Sequence, residues 1–110
     1  MSEDRLQFEC YMWFHNEFPN QRGLLFSVPN GGYRNKKEAM KMKSTGVVPG
    51  IPDIIYLHRT AIGIEMKNET GILSLDQKKI HAIWNERGFK VYICRSLDQF
   101  KQIIAEIHSA

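Results

Sequence analysis

Cysteine is nearly missing from this chain of 110 residues: only Cys10 and Cys94 occur. They lie too far apart for a thioredoxin-like or zinc-knuckle spacing and are too few for a disulfide framework, so a reducing, cytoplasmic setting is expected. No run approaches the ~18 consecutive apolar residues that a membrane span requires. The charged start Met1-Ser2-Glu3-Asp4-Arg5 has no apolar signal core, so a soluble, unexported protein without a membrane partner is expected. His15, His58, His81 and His108 form neither an H-E-x-x-H run nor a Cys/His cluster, which argues against zinc. Walker A and dinucleotide-binding glycine patterns are absent as well, so no nucleotide cofactor is expected.

What is present suits a folded domain. Hydrophobic residues make up 43% and charged residues 25%, far from the polar bias of disorder. The length is that of one domain, taken as residues 1–110. A net charge of +3 and a pI near 9.0 permit a phosphate-rich partner without requiring one.

Leu6, Cys10, Trp13 and Phe14 recur at helical spacing, predicting a helix over 4–18 that stops before Pro19. Glu9 falls within that stripe, where a carboxylate is costly to bury unless a cation or hydrogen bonds receive it. A short strand is predicted over 24–28 and a turn at Pro29-Asn30-Gly31-Gly32. Tyr33 and Arg34 follow this turn, within reach of a phosphate. A helix over 35–45 carries Lys36, Lys37, Lys41 and Lys43 but little apolar content. That face is either simply solvated or a guide for DNA.

The prolines make 47–52 a rigid loop. Strands over 53–57 and 61–67 follow, joined by His58-Arg59-Thr60, then a helix over 75–87, a strand over 90–94 and a helix over 97–108. The order α-β-α-β-β-α-β-α, with a strand-helix-strand unit late in the chain, predicts an α/β fold: a mixed β-sheet flanked by helices. Trp13, Phe14, Trp84 and Phe100 sit at helical core spacing and read as core.

Strand alternation sends Glu65 and Lys67 to one surface and Met66 to the core. Asp53 opens the preceding strand directly after Pro52, where a stiff loop can aim its carboxylate at the same spot. Asp53 and Glu65 together offer hard oxygen ligands suited to Mg²⁺ or Mn²⁺. Lys67 beside them could contact an attacking water or a developing phosphorane charge. Either half of this pattern alone is weak, since exposed Glu-x-Lys pairs and Pro-Asp turns are common. Apolar strands that each end in these charges need a reason, and a shared site supplies one.

The run Pro29-Asn30-Gly31-Gly32-x-Arg34, Lys43-x-x-Gly46, Pro49-Gly50-Ile51-Pro52-Asp53, Glu65-Met66-Lys67, Gly71-x-Leu73-Ser74 and Gln77 resembles a stand-alone, phage-type VRR-Nuc domain of the PD-(D/E)XK nuclease superfamily. The resemblance covers nearly the whole chain, although the Val-Arg-Arg tripeptide of the family name is absent. It implies a restriction-endonuclease-like fold and divalent-metal-dependent hydrolysis of DNA phosphodiesters. Its minimal members are similar to homodimeric Holliday-junction resolvases, which implies branched DNA and a second copy as partners. By the same resemblance Glu9, Asp53, Glu65 and the Met66 backbone carbonyl are metal ligands, and Asp53, Glu65, Lys67 and Gln77 are catalytic. Gln77 has a competing explanation, because Ser74-Leu75-Asp76-Gln77 is a capping box that Ser96-Leu97-Asp98-Gln99 repeats with no site nearby. DNA contacts are expected from Tyr33, Arg34, Lys36, Lys37, Lys41 and Lys43. Cleavage of flaps, nicks or duplex, a DNA-binding module without turnover, and a basic surface for an acidic protein remain as rivals.

Overall fold

The computed structural model describes residues 1–29 and 35–110, so Tyr33, Arg34 and the glycines of the expected turn lie outside the described residues. Helix α1 (Glu3–Glu17) leads through a 3-10 turn (Pro19–Gln21) to strand β1 (Leu25–Ser27) and helix α2 (Lys36–Ser44). Strands β2 (Ile54–His58) and β3 (Thr60–Met66), helix α3 (Leu75–Glu86), strand β4 (Val91–Cys94) and helix α4 (Leu97–Ser109) complete the order. The strands lie as β1-β2-β3-β4, with the first three antiparallel and β4 parallel to β3. The crossover helix α3 makes that last pairing possible, since parallel neighbours cannot be joined by a tight turn. The mixed sheet flanked by helices is therefore the architecture that the residue pattern predicts.

Local chemistry sets the boundaries. Ser2, Asn35, Ser74 and Ser96 each cap a helix by accepting a backbone N–H three residues on. The β2–β3 hairpin closes more tightly than expected, pairing His58 with Thr60 around Arg59, whose φ of 61° lies in the left-handed region.

Alternation then divides the sheet. Ile54, Tyr56, Ile62, Ile64 and Met66 face α1 and α4, whose Leu6, Cys10, Phe14, Phe100, Ile103, Ile104 and Ile107 complete one buried cluster. Burying each such large side chain stabilises the fold by about 1.5–3 kcal/mol. The opposite face carries Asp53, Gly63, Glu65 and Lys67 beneath α3. A Cβ at Gly63 would lie 2.6 Å from Pro52 Cγ and 3.3 Å from Trp84 of α3, so glycine allows loop, sheet and helix to meet there. Trp13 meets Phe100 edge to face at 6.0 Å, in keeping with a packing role. Helix α2 buries none of its residues. No described helix is long and apolar enough to cross a membrane.

Candidate active site

Register brings the two strand carboxylates together. Ile54 pairs with Ile64, so Asp53, one residue before β2, comes to the end of β3 that carries Glu65 and Lys67. Asp53 Oδ2 accepts the Met66 N–H at 2.8 Å, which locks this carboxylate to the neighbouring strand. The loop before it is equally constrained: Gly50 has a φ of +92°, and a Cβ there would lie 2.9 Å from Gln77 N. The Gly50-Ile51-Pro52-Asp53 segment is thus wedged against the start of α3.

Glu65 is buried, with 1% of its surface exposed. Gln77 Nε2 donates to its Oε2 at 3.3 Å, and His81 Nε2 lies 2.9 Å from its Oε1. The two explanations for Gln77 prove compatible. Its Oε1 accepts the Ser74 N–H at 2.9 Å in a complete capping box, which leaves the amide nitrogen to face Glu65. Capping therefore fixes the orientation of the amide group. His81 stands one turn further along α3, and a metal-ligand motif does not reveal it. Its i, i+4 spacing from Gln77, which places both on one helix face, is the sequence signal that points to it.

Burial and the adjacent Asp53 raise the Glu65 carboxyl to about 9, with Glu3 adding to the rise and Lys67 opposing it. Burial lowers the His81 imidazole below its ordinary value. The short His81–Glu65 contact is thus a hydrogen bond between neutral partners at pH 7 when no cation is present, not an ion pair. Two acids forced together so that one retains its proton form a site that gains from a positive charge. Among the described residues no three His, Cys, Asp or Glu side chains form a closed ligand group. The donors suit an open oxygen site completed by water and substrate, as magnesium prefers, better than a closed protein cage.

Of the α1 carboxylates, Glu3 acts electrostatically on Glu65, while Glu9, the α1 carboxylate that the resemblance implied as a metal ligand, is paired with Arg5. Glu9 Oε2 accepts a 3.0 Å hydrogen bond from Arg5 Nε, and Glu9 borders a separate cavity of about 230 Å³ with Asn68, Glu69 and Arg95. Glu3, by contrast, acts electrostatically on Glu65, and its Oε2 and Lys67 Cδ each lie 3.3 Å from where a Gly71 Cβ would stand. Helical geometry sets the two carboxylates apart. Positions 3, 6, 10 and 14 continue one stripe, of which Leu6, Cys10 and Phe14 are buried, whereas position 9 lies at its edge.

Lys67 is buried, and its N–H donates to Cys94 O at 3.0 Å, extending the parallel ladder past the end of β3. Met66 contributes its N–H to Asp53 and its side chain to the core. Lys36, Lys37, Lys41 and Lys43 are exposed on α2, and the ion pairs found among the described residues involve none of them.

An acid pair, a lysine on the same strand and a capping glutamine, set on a mixed sheet beneath a crossover helix, mark a nuclease-type domain. The sequence matches the VRR-NUC domain over residues 2–98, and the chain belongs to that family of nuclease domains, whose members are generally dependent on divalent metal and process DNA. A solved structure described as a VRR_NUC domain protein superposes with a TM-score of 0.77 at 20% identity, covering 99% of this chain and 89% of that one. That likeness shows the shared fold. No protein of curated function matches the sequence.

Proposed function

We propose that this chain is a divalent-metal-dependent, structure-specific DNA endonuclease that resolves Holliday junctions as a homodimer, with residues 1–110 acting as one nuclease domain in the cytoplasm. The observation that carries the reading is the Asp53–Glu65 pair beneath α3, in which Glu65 is buried, Asp53 is half-buried and tied to the Met66 N–H, and Glu65 retains a proton without a cation beside it. Asp53, Glu65, Glu3 and the Met66 carbonyl are the groups that would hold Mg²⁺ or Mn²⁺. Such an ion supplies Lewis-acid polarisation of the phosphodiester and a more acidic attacking water.

The chain's own residues do the positioning. Gln77 and His81 hold Glu65 in one rotamer, one from each oxygen, and the Met66 N–H holds Asp53. Lys67 places its ammonium beside the acids, where it can donate to the attacking water or to a phosphorane oxygen as negative charge develops. Lys36, Lys37, Lys41 and Lys43, with Tyr33 and Arg34, supply phosphate contacts that orient DNA without reading sequence. Homodimer formation is supported by the small footprint of one copy and by the two-fold symmetry of a four-way junction.

The test is cleavage of four-way junctions, flaps, nicked duplex and linear duplex at equal protein concentration, with Mg²⁺ and with chelator. Metal-dependent cutting with junctions preferred is the expected result. Preference for flaps or linear duplex ends the resolvase reading, and absence of cutting with either Mg²⁺ or Mn²⁺ ends the nuclease reading.

A further inference from the structure

Two aliphatic side chains at the mouth of the site have no role in the chemistry above. Ile72 and Leu75 are 82% and 84% exposed, the most exposed large apolar side chains among the described residues. Their segment is nevertheless firmly tied. Arg95 Nη1 donates to the carbonyl oxygens of Asn68 and Gly71, at 2.8 Å each. The capping box of Ser74 and Gln77 anchors the other end. A Cβ at Gly71 would come within 3.0 Å of Asn68 Oδ1 and 3.3 Å of Lys67 Cδ, so the backbone runs directly against the catalytic strand. Leu75 opens α3 two residues before Gln77, and Lys78 and Lys79 follow on its exposed surface at i+3 and i+4.

A rigid turn that holds aliphatic groups in water beside a site is a contact surface. The lysines next to it favour a polyanion. Phosphates and sugars offer little to an isoleucine or leucine, and bases within an intact duplex hide their faces in the stack. An unstacked base offers an apolar face of the right kind, and aliphatic wedges are known to take such faces. We propose that Ile72 and Leu75 form a wedge that receives unstacked bases beside the scissile phosphate, so that the enzyme selects DNA whose duplex is interrupted there. Lys78 and Lys79 hold the flanking phosphates. The proposal rests on the nuclease reading of the adjoining site and names the feature by which that site chooses its substrate.

The experiment uses the full chain and a four-way junction carrying 2-aminopurine at the branch nucleotide, with Ca²⁺ in place of Mg²⁺. Wild type should raise the fluorescence of the junction as the base leaves its stack, and the double variant Ile72→Ser/Leu75→Ser should raise it less than half as far. In Mg²⁺ the double variant should cut the junction at least about tenfold more slowly, since a single lost apolar contact is already of that scale. Its Mn²⁺ affinity and melting temperature should match wild type, because both side chains are exposed. No fluorescence rise with wild type, or an equal rise with both proteins, overturns the wedge. Loss of self-association in the double variant with the fluorescence rise intact also overturns it, assigning the surface to a second copy. If wild type cuts no DNA in any metal, the nuclease reading fails, and the fluorescence comparison still decides the wedge.

Discussion

Replacing His81 by alanine is the most informative single perturbation. Glu65 is almost wholly buried, and His81 Nε2 at 2.9 Å is its shorter contact, with Gln77 at 3.3 Å the other. Removing the ring leaves a buried carboxyl oxygen without its partner, at a cost of about 1–3 kcal/mol to the fold. The effect on the site is separate. A group that orients a metal ligand changes metal affinity or activity by about 10–100-fold when lost. At about 1.4 kcal/mol per decade, that amounts to roughly 1.4–2.8 kcal/mol. Mn²⁺ titration followed by electron paramagnetic resonance reads the affinity, and urea unfolding in chelator reads the stability. His81→Ala should weaken Mn²⁺ binding by that factor and lower kcat/KM with it, whereas His81→Gln, which keeps a donor, should recover part of both. A variant with reduced stability and wild-type Mn²⁺ affinity would show that His81 serves packing alone, and the positioning argument would be refuted.

Asp53→Ala and Lys67→Ala should each abolish cleavage while leaving junction binding within about threefold of wild type, since phosphate contacts and chemistry use different groups; gel shifts and cleavage assays on the same preparations check this. Glu3→Gln should weaken Mn²⁺ binding and cutting by at least about tenfold, while Glu9→Gln should change neither; the reverse pattern would return the helix ligand to Glu9. The raised Glu65 carboxyl sets a pH dependence with a definite sign. Its folded value of about 9 exceeds its ordinary value, so its contribution to stability is full below the unfolded value and is lost as pH rises through about 9. Melting temperature in chelator should therefore fall between pH 7 and pH 9, and Mn²⁺, by displacing that proton, should flatten the slope. A chelated protein whose stability rises across this window would contradict the raised Glu65 carboxyl.

Much of this molecule is legible in its residue pattern because local chemistry is strong where the elements begin and end. Serine and asparagine caps, prolines around the rigid loop and two-residue alternation place the eight main elements within a residue or two, and the same alternation puts Asp53, Glu65 and Lys67 on one sheet face. What eluded sequence reading depends on angles accumulated over distance. Glu9 and Glu3 are both helix carboxylates near an apolar stripe, and only the packing of α1 on the sheet shows that Glu3 acts electrostatically on Glu65 while Glu9 pairs with Arg5. Gln77 posed a choice between capping and site that disappears once α3 is laid over β3, because its two polar ends serve the two roles at once.

Residue order alone carries the kind of chemistry: which groups are acids, which strand ends in lysine, and where the chain must turn, since these follow from side-chain type and short-range backbone preference. It takes the folded arrangement to bring Asp53 and Glu65 together, to set His81 against Glu65, and to leave Ile72 and Leu75 standing in water. Those facts arise from the packing of α1 and α3 across a sheet whose strands are separated by long stretches of chain, and no spacing within a single segment encodes that meeting.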